Sequence, residues 1–120
     1  MPGKAAGVAN GVVKTPQMLS RESVVDKLSR YLLNAEHPVG GSKAKWFEQA
    51  LGFNQSNLTQ FANQIKFDRT TAVVTGINEY GTKYNQIITI TGANGKKIDV
   101  LFAWIENKDG VIRLVTAFPK

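Results

Sequence analysis

There is no cysteine in this chain, which removes disulfides, thiolate zinc sites and cysteine nucleophiles together and leaves stability to packing. Histidine is almost as scarce. His37 is the single one, and the nine Asp and Glu are scattered with no Asp-x-Asp or His-x-x-x-His pair. Converging imidazoles and carboxylates are what a metal centre needs, so no metal and no other cofactor is expected. A Gly-x-Ser-x-Gly elbow is missing too, and Gly40-Gly41-Ser42-Lys43 lacks the upstream strand and spacing of a nucleotide phosphate loop. No run approaches the ~18 apolar residues that span a bilayer, and the opening residues lack the apolar core of a signal peptide. No membrane partner is expected.

What is present is enough apolar residue, 42% of 120, to bury one core. Lys and Arg number fifteen, for a net charge of +6 and a pI near 9.7, which biases the chain toward polyanions or an acidic protein. Residues 1–15 are Gly- and Ala-rich without a period and read as a flexible lead-in or linker, leaving 16–120 as a single compact domain. Val24, Val25, Leu28, Tyr31 and Leu32 have helical spacing over about 20–34; Ser42 caps a second helix to Leu51, ended by Gly52; a third runs over about 54–66. Beyond Asp68 the texture is β-branched and alternating. Strands are expected at about 70–77, 83–91, 96–106 and 111–118, separated by turn signals at 78–81, Asn94-Gly95 and Asp109-Gly110. The fold class is therefore α+β, with N-terminal helices packed on one face of a four-stranded antiparallel sheet.

With metals and nucleotide loops set aside, metal-free acid–base chemistry remains, and RNA is its natural substrate on a small basic domain. The 2′-hydroxyl is an internal nucleophile. Cleavage then needs a base, an acid and cations over the phosphorane. His37 is the first candidate because imidazole exchanges protons near neutrality; the plainer assignment is a helix cap or a packing partner for Trp46. Gly40, Gly41 and Ser42 offer backbone N–H groups at a helix start, with Lys43 and Lys45 beside them, for a phosphate; an ordinary glycine turn fits the same residues. Glu79, Tyr80, Lys83 and Tyr84 gather a carboxylate, two phenols and a cation at a hairpin mouth, able to stack a base and move a proton, or simply to form a hairpin tip. Trp104 and Arg113 complete the set. Arg113 stands among Val, Ile and Leu, so its guanidinium reaches a cleft or costs packing. Strict alternation puts Arg113 and Thr116 on opposite faces, so a bulge is needed if both serve one site. The expectation is that His37 and Arg113 face a common groove.

The segments Leu32 to Ala44, Phe47 to Gly52, Asn78 to Gly81, Gly92 to Gly95 and Arg113 to Ala117, taken together, resemble a family of uncharacterised bacterial domains at the C-terminal ends of polymorphic and contact-dependent growth inhibition toxins. Ala35 stands where that pattern leads one to expect proline. The resemblance implies the helix-plus-antiparallel-sheet nuclease fold shared by barnase, EndoU, colicin nucleases and RelE, by analogy of element order. It implies a metal-independent ribonuclease toxin, cleaving tRNA in the cytoplasm of a competitor after delivery as the end of a larger secreted or cell-surface carrier. As a free domain it would be a monomer, blocked by an acidic immunity protein. Its motifs display His37, Lys43, Glu79, Tyr80, Arg113 and Thr116. From the residues alone, the catalytic set is His37, Glu79, Tyr80, Arg113 and Thr116, with Lys43, Lys45, Lys83, Tyr84 and Trp104 on phosphate or RNA. A non-catalytic protein- or RNA-binding module attached to a larger protein is the alternative; an immunity protein is less consistent with the basic charge.

Overall fold

The structure is a computed structural model and describes residues 18–120; the lead-in expected over 1–15 lies outside the described residues. The chain enters through a two-residue strand, β1 (Met18–Leu19), too short for any sequence period to reveal. Ser20 then caps α1 (Arg21–Lys27), its Oγ accepting from the Ser23 N–H at 3.0 Å. The helix widens into a π-helical turn, Leu28–Leu32, in which the Leu33 N–H donates to the Leu28 carbonyl at 2.8 Å. Val24, Leu28 and Leu32 are fully buried, a four-residue repeat that the wider turn holds on one face. Lys27 and Tyr31 share that repeat on the adjoining face. The expected single helix is therefore two kinds of helix in sequence.

The second helix, α2 (Gly41–Leu51), ends as expected at Gly52, whose φ of 76° lies in the left-handed region. It begins one residue before Ser42, which is exposed inside the first turn and caps nothing. Asn54 closes a capping box with Asn57 around a 3-10 turn, Gln55–Asn57, that leads into α3 (Leu58–Ala62). This third helix is shorter than its apolar spacing suggests. Arg21 donates to the Ala62 carbonyl at 2.7 Å and to the Ile65 carbonyl at 2.8 Å, taking acceptors that a longer helix would use.

The four strands expected from alternation are β2 (Val73–Asn78), β3 (Gly81–Thr91), β4 (Lys97–Asn107) and β5 (Val111–Pro119). They form an antiparallel meander, and β1 adds a parallel edge to give the order β1-β5-β4-β3-β2. One face carries Tyr84, Ile90, Val100, Phe102, Trp104, Leu114 and Ala117 into the core, where Val24, Leu28, Phe47, Leu51, Phe53 and Phe61 meet them. Phe53 and Phe61 stack at 4.6 Å between centroids, and Phe61 approaches Phe102 edge-on at 6.4 Å, so an aromatic bridge joins helices to sheet. Thus the α+β class, with helices on one face of the meander, is observed.

Two departures from regular pairing bear on function. The edge strand β1 ends at Leu19, opposite Ile112; past it the Leu114 N–H is taken by Ser23 Oγ at 3.1 Å, which pins α1 to β5. The β4–β5 register then slips between Ala103 and Trp104, so that Trp104 faces Leu114 while Ala103 faces Thr116. Val115 is the extra residue. Ile112, Leu114 and Ala117 all point to the core, and the bulge therefore puts Arg113 and Thr116 on the same side of β5.

Candidate active site

A cavity of about 780 Å³ opens where the π turn, the loop into α2 and the β5 edge meet, lined by Lys27, Arg30, Tyr31, His37, Val39, Lys43, Thr116 and Phe118 among others. Lys43 is its centre. Its Nζ donates to Thr116 Oγ1 at 2.8 Å, seventy-three positions away in sequence, and lies 4.0 Å from the Phe118 ring centroid and 5.4 Å from that of Tyr31. A cation over two aromatic faces at an exposed site gains about 0.5–1 kcal/mol from each. The contacts fix an ammonium whose charge, among the described residues, meets no carboxylate in an ion pair.

Tyr31 stands between the cations. Lys27 Nζ is 5.9 Å from its ring centroid, and the His37 ring lies edge-on at 4.9 Å. The hydrogen bond with the Thr116 side chain, then the hydrogen bond and charge of Lys43, and last the charge of Lys27 hold the phenol below its usual value, against an opposing effect of burial.

His37 is built into the loop. Its Nδ1 accepts from the Val39 N–H at 3.0 Å and from the Gly40 N–H at 2.9 Å, while its carbonyl takes the Gly41 N–H at 2.9 Å. With Nδ1 occupied, the neutral ring carries its proton on Nε2 and is a hydrogen-bond donor there. The same bonds decide what the glycines are for. The N–H groups of Val39, Gly40 and Gly41 are already used, so two of the three groups expected to hold a phosphate at this turn, those of Gly40 and Gly41, are spent within the loop. Gly40 is needed because a Cβ there would lie 2.5 Å from Tyr31 Cδ1 and 2.5 Å from the Tyr31 carbonyl oxygen; one on Gly41 would meet the Ala35 carbonyl at 2.6 Å. The turn is tight so that the loop can lie against Tyr31. His37 packs on that ring and not on Trp46.

The remaining candidates lie elsewhere. Arg113 does not share a groove with His37. It lines an adjoining cavity with Ser20, Arg21, Ser23 and Ser29, across Asp26 and Arg30, and is bound to Asn107 Oδ1 at 2.6 Å and to Asp109 Oδ2 at 3.2 Å. The bulge brings it to the side of Thr116 but not into the cavity of Lys43. Glu79, Tyr80 and Lys83 are exposed at the β2–β3 hairpin, and Asn107, which accepts from Arg113, donates its Nδ2 N–H to the Tyr80 carbonyl at 2.9 Å. Lys45 is exposed on α2 outside the cavity lining. Trp104 and Tyr84 are 1% and 4% exposed, so neither ring has a face for a base; Tyr84 instead donates to Glu106 at 3.1 Å. Of the ten candidates, His37, Lys43 and Thr116 come together. In sequence Tyr31 is an apolar position of the first helix, and the one signal that it is more is the cation one turn before it, Lys27.

Among the described residues no group of three His, Asp or Glu is placed to hold a metal ion, and no helix is long and apolar enough to cross a membrane. The fold is similar to that of a chain from a contact-dependent growth inhibition toxin–immunity protein complex of Klebsiella pneumoniae 342. The TM-score is 0.60 at 17% identity, over 87% of this chain and 100% of the other. At that identity the likeness is one of fold. The chain itself belongs to the family described as Domain of unknown function (DUF6883), which it matches over residues 17–120. No curated protein matches it.

Proposed function

We propose that this domain is a metal-independent ribonuclease of the toxin kind, cleaving RNA, tRNA foremost, by attack of the 2′-hydroxyl on its own phosphate in the cavity around Lys43. The observation that carries the reading is the Lys43–Thr116 contact beside Tyr31: an ammonium that meets no carboxylate among the described residues, a hydroxyl and a phenol on one wall. Lys27 and Lys43 supply charge for the phosphorane. Val39, Val115 and Phe118 supply an apolar wall against which an unstacked base can lie. The similar fold within a toxin–immunity protein complex supports a delivered toxin. Of the two partners in such a complex, the net charge of +6 favours the toxin, and an acidic inhibitor that covers the cavity is the matching immunity protein. The nuclease fold class of barnase, EndoU, colicins and RelE fits the element order and belongs to this proposal, as do delivery on a larger carrier and action in the target-cell cytoplasm.

The test is incubation of the purified domain with total tRNA in EDTA. Fragments ending in 2′,3′-cyclic phosphate are expected, with loss of about 100- to 1,000-fold in rate for Lys43→Met, the usual effect of removing one group that stabilises developing charge. Intact tRNA at stoichiometric protein overturns the reading.

A further inference from the structure

We infer that the Tyr31 phenol is the group that takes the proton from the attacking 2′-hydroxyl, and that His37 positions Tyr31 instead of carrying the proton itself; this rests on the ribonuclease reading above. In sequence the imidazole is the natural base, but in the fold its free lone pair is spent. A general base needs an unprotonated nitrogen facing the substrate, and His37 Nδ1 is turned into its own loop, toward the N–H groups of Val39 and Gly40. What remains is Nε2–H, a donor. Tyr31 has the opposite situation. Its ring is clamped by His37 at 4.9 Å and by the close pass of Gly40, and the charged groups lining the cavity with it are Lys27, Asp26 and Arg30 from α1 and its π turn, and Lys43 from α2, with the Thr116 hydroxyl from β5. Asp26 is paired with Arg30 at 2.9 Å, so the charge left to act on the phenol is positive, in agreement with its lowered pKa.

The step balances without an outside reagent. Tyr31, as phenolate, accepts the 2′-hydroxyl proton; O2′ forms its bond to phosphorus; the bond from phosphorus to O5′ breaks, and the leaving oxygen takes a proton from the Lys43 ammonium. The products are a 2′,3′-cyclic phosphate and a 5′-hydroxyl. Exchange with water then takes the proton from the Tyr31 phenol and returns one to Lys43, so none is gained or lost overall.

The rate should therefore rise with pH through neutrality and bend only at the lowered phenol value, below the ordinary tyrosine value of about 10, whereas an imidazole base bends near about 6.5. The experiment is the single-turnover pH profile of wild type, Tyr31→Phe, His37→Ala and His37→Asn on total tRNA in EDTA. Tyr31→Phe keeps the ring that packs on Gly40 and should lose about 100- to 10,000-fold together with the alkaline bend. His37→Asn offers an oxygen to the Val39 and Gly40 N–H groups and should recover at least about tenfold over His37→Ala, with the bend unmoved. Phenolate absorbance, compared between wild type and Tyr31→Phe, should show one tyrosine titrating early in the intact domain. Cleavage by wild type with Tyr31→Phe equally active, or a bend near neutrality that His37→Asn abolishes, overturns the assignment of Tyr31 and leaves the nuclease reading standing. Absence of cleavage by wild type overturns both.

Discussion

The cavity at the β5 edge and the hairpin end of the sheet both hold tyrosine, hydroxyl or amide groups and cations, yet they treat charge in opposite ways. At the hairpin end the two arginines each have a carboxylate: Arg69 meets Glu106 at 3.2 Å and Arg113 meets Asp109 at 3.2 Å. In the cavity Lys43 meets a hydroxyl and two ring faces. The two buried-side phenols record the difference. Burial first, and then the hydrogen bond and charge of Glu106, push the Tyr84 phenol above its usual value, while the hydrogen bond with Thr116 and the nearby lysines lower that of Tyr31. Neutralised cations hold a fold together; an open cation on a structured wall is suited to an anion from outside. Sequence composition counts both kinds alike, and only the partners separate them.

Changes that break one region and spare the other sharpen this contrast. The largest loss of stability is expected at the hairpin end for Gly81→Ala. Gly81 has φ of 147°, and a Cβ there would stand 2.1 Å from the Glu106 carbonyl oxygen; unfolding in urea should show a loss of about 3 kcal/mol, with the rate per folded molecule little changed. Gly40→Ala does the reverse kind of damage. Its Cβ presses on Tyr31, and about 1–3 kcal/mol of overpacking strain should come with a fall in cleavage beyond what the folded fraction explains. Arg113→Ala removes a half-exposed ion pair and should cost within about 1 kcal/mol. Alkaline titration gives the smallest effect, with opposite signs in the two regions. A lowered phenol value means that the unfolded chain binds more protons, so the contribution of Tyr31 to stability grows as pH rises from its folded value to about 10. A raised value means the opposite, and the contribution of Tyr84 is lost as pH rises past about 10 toward its folded value. Tyr31→Phe should remove the gain and Tyr84→Phe the loss, as read from urea midpoints across alkaline pH.

The elements were legible because the signals that set them are local. Three- and four-residue apolar spacing found the helices, and Asn94-Gly95 and Asp109-Gly110 found turns whose glycines have φ of 86° and 81°. The missed features depend on contacts distant in sequence. Arg21 shortens α3 through carbonyls more than forty residues away, and the Val115 bulge is visible only in the β4–β5 register. For the site, Lys43 and Thr116 were named without any means of knowing that they touch. His37 was named for its chemistry, which its loop then consumes, because no sequence pattern shows which lone pair a backbone N–H has claimed. Trp104 was offered to RNA by type, though a large aromatic in a central strand belongs to the core unless something holds it out.

The most direct measurement is the rate of tRNA cleavage in EDTA for Lys43→Met and Arg113→Met, each against wild type in the same assay. A loss of about 100-fold or more is expected for Lys43→Met, and a rate within about threefold of wild type for Arg113→Met, whose charge is already paired. Equal losses, or the larger loss at Arg113, would contradict the assignment of Lys43 and move the catalytic centre to the other side of Asp26 and Arg30.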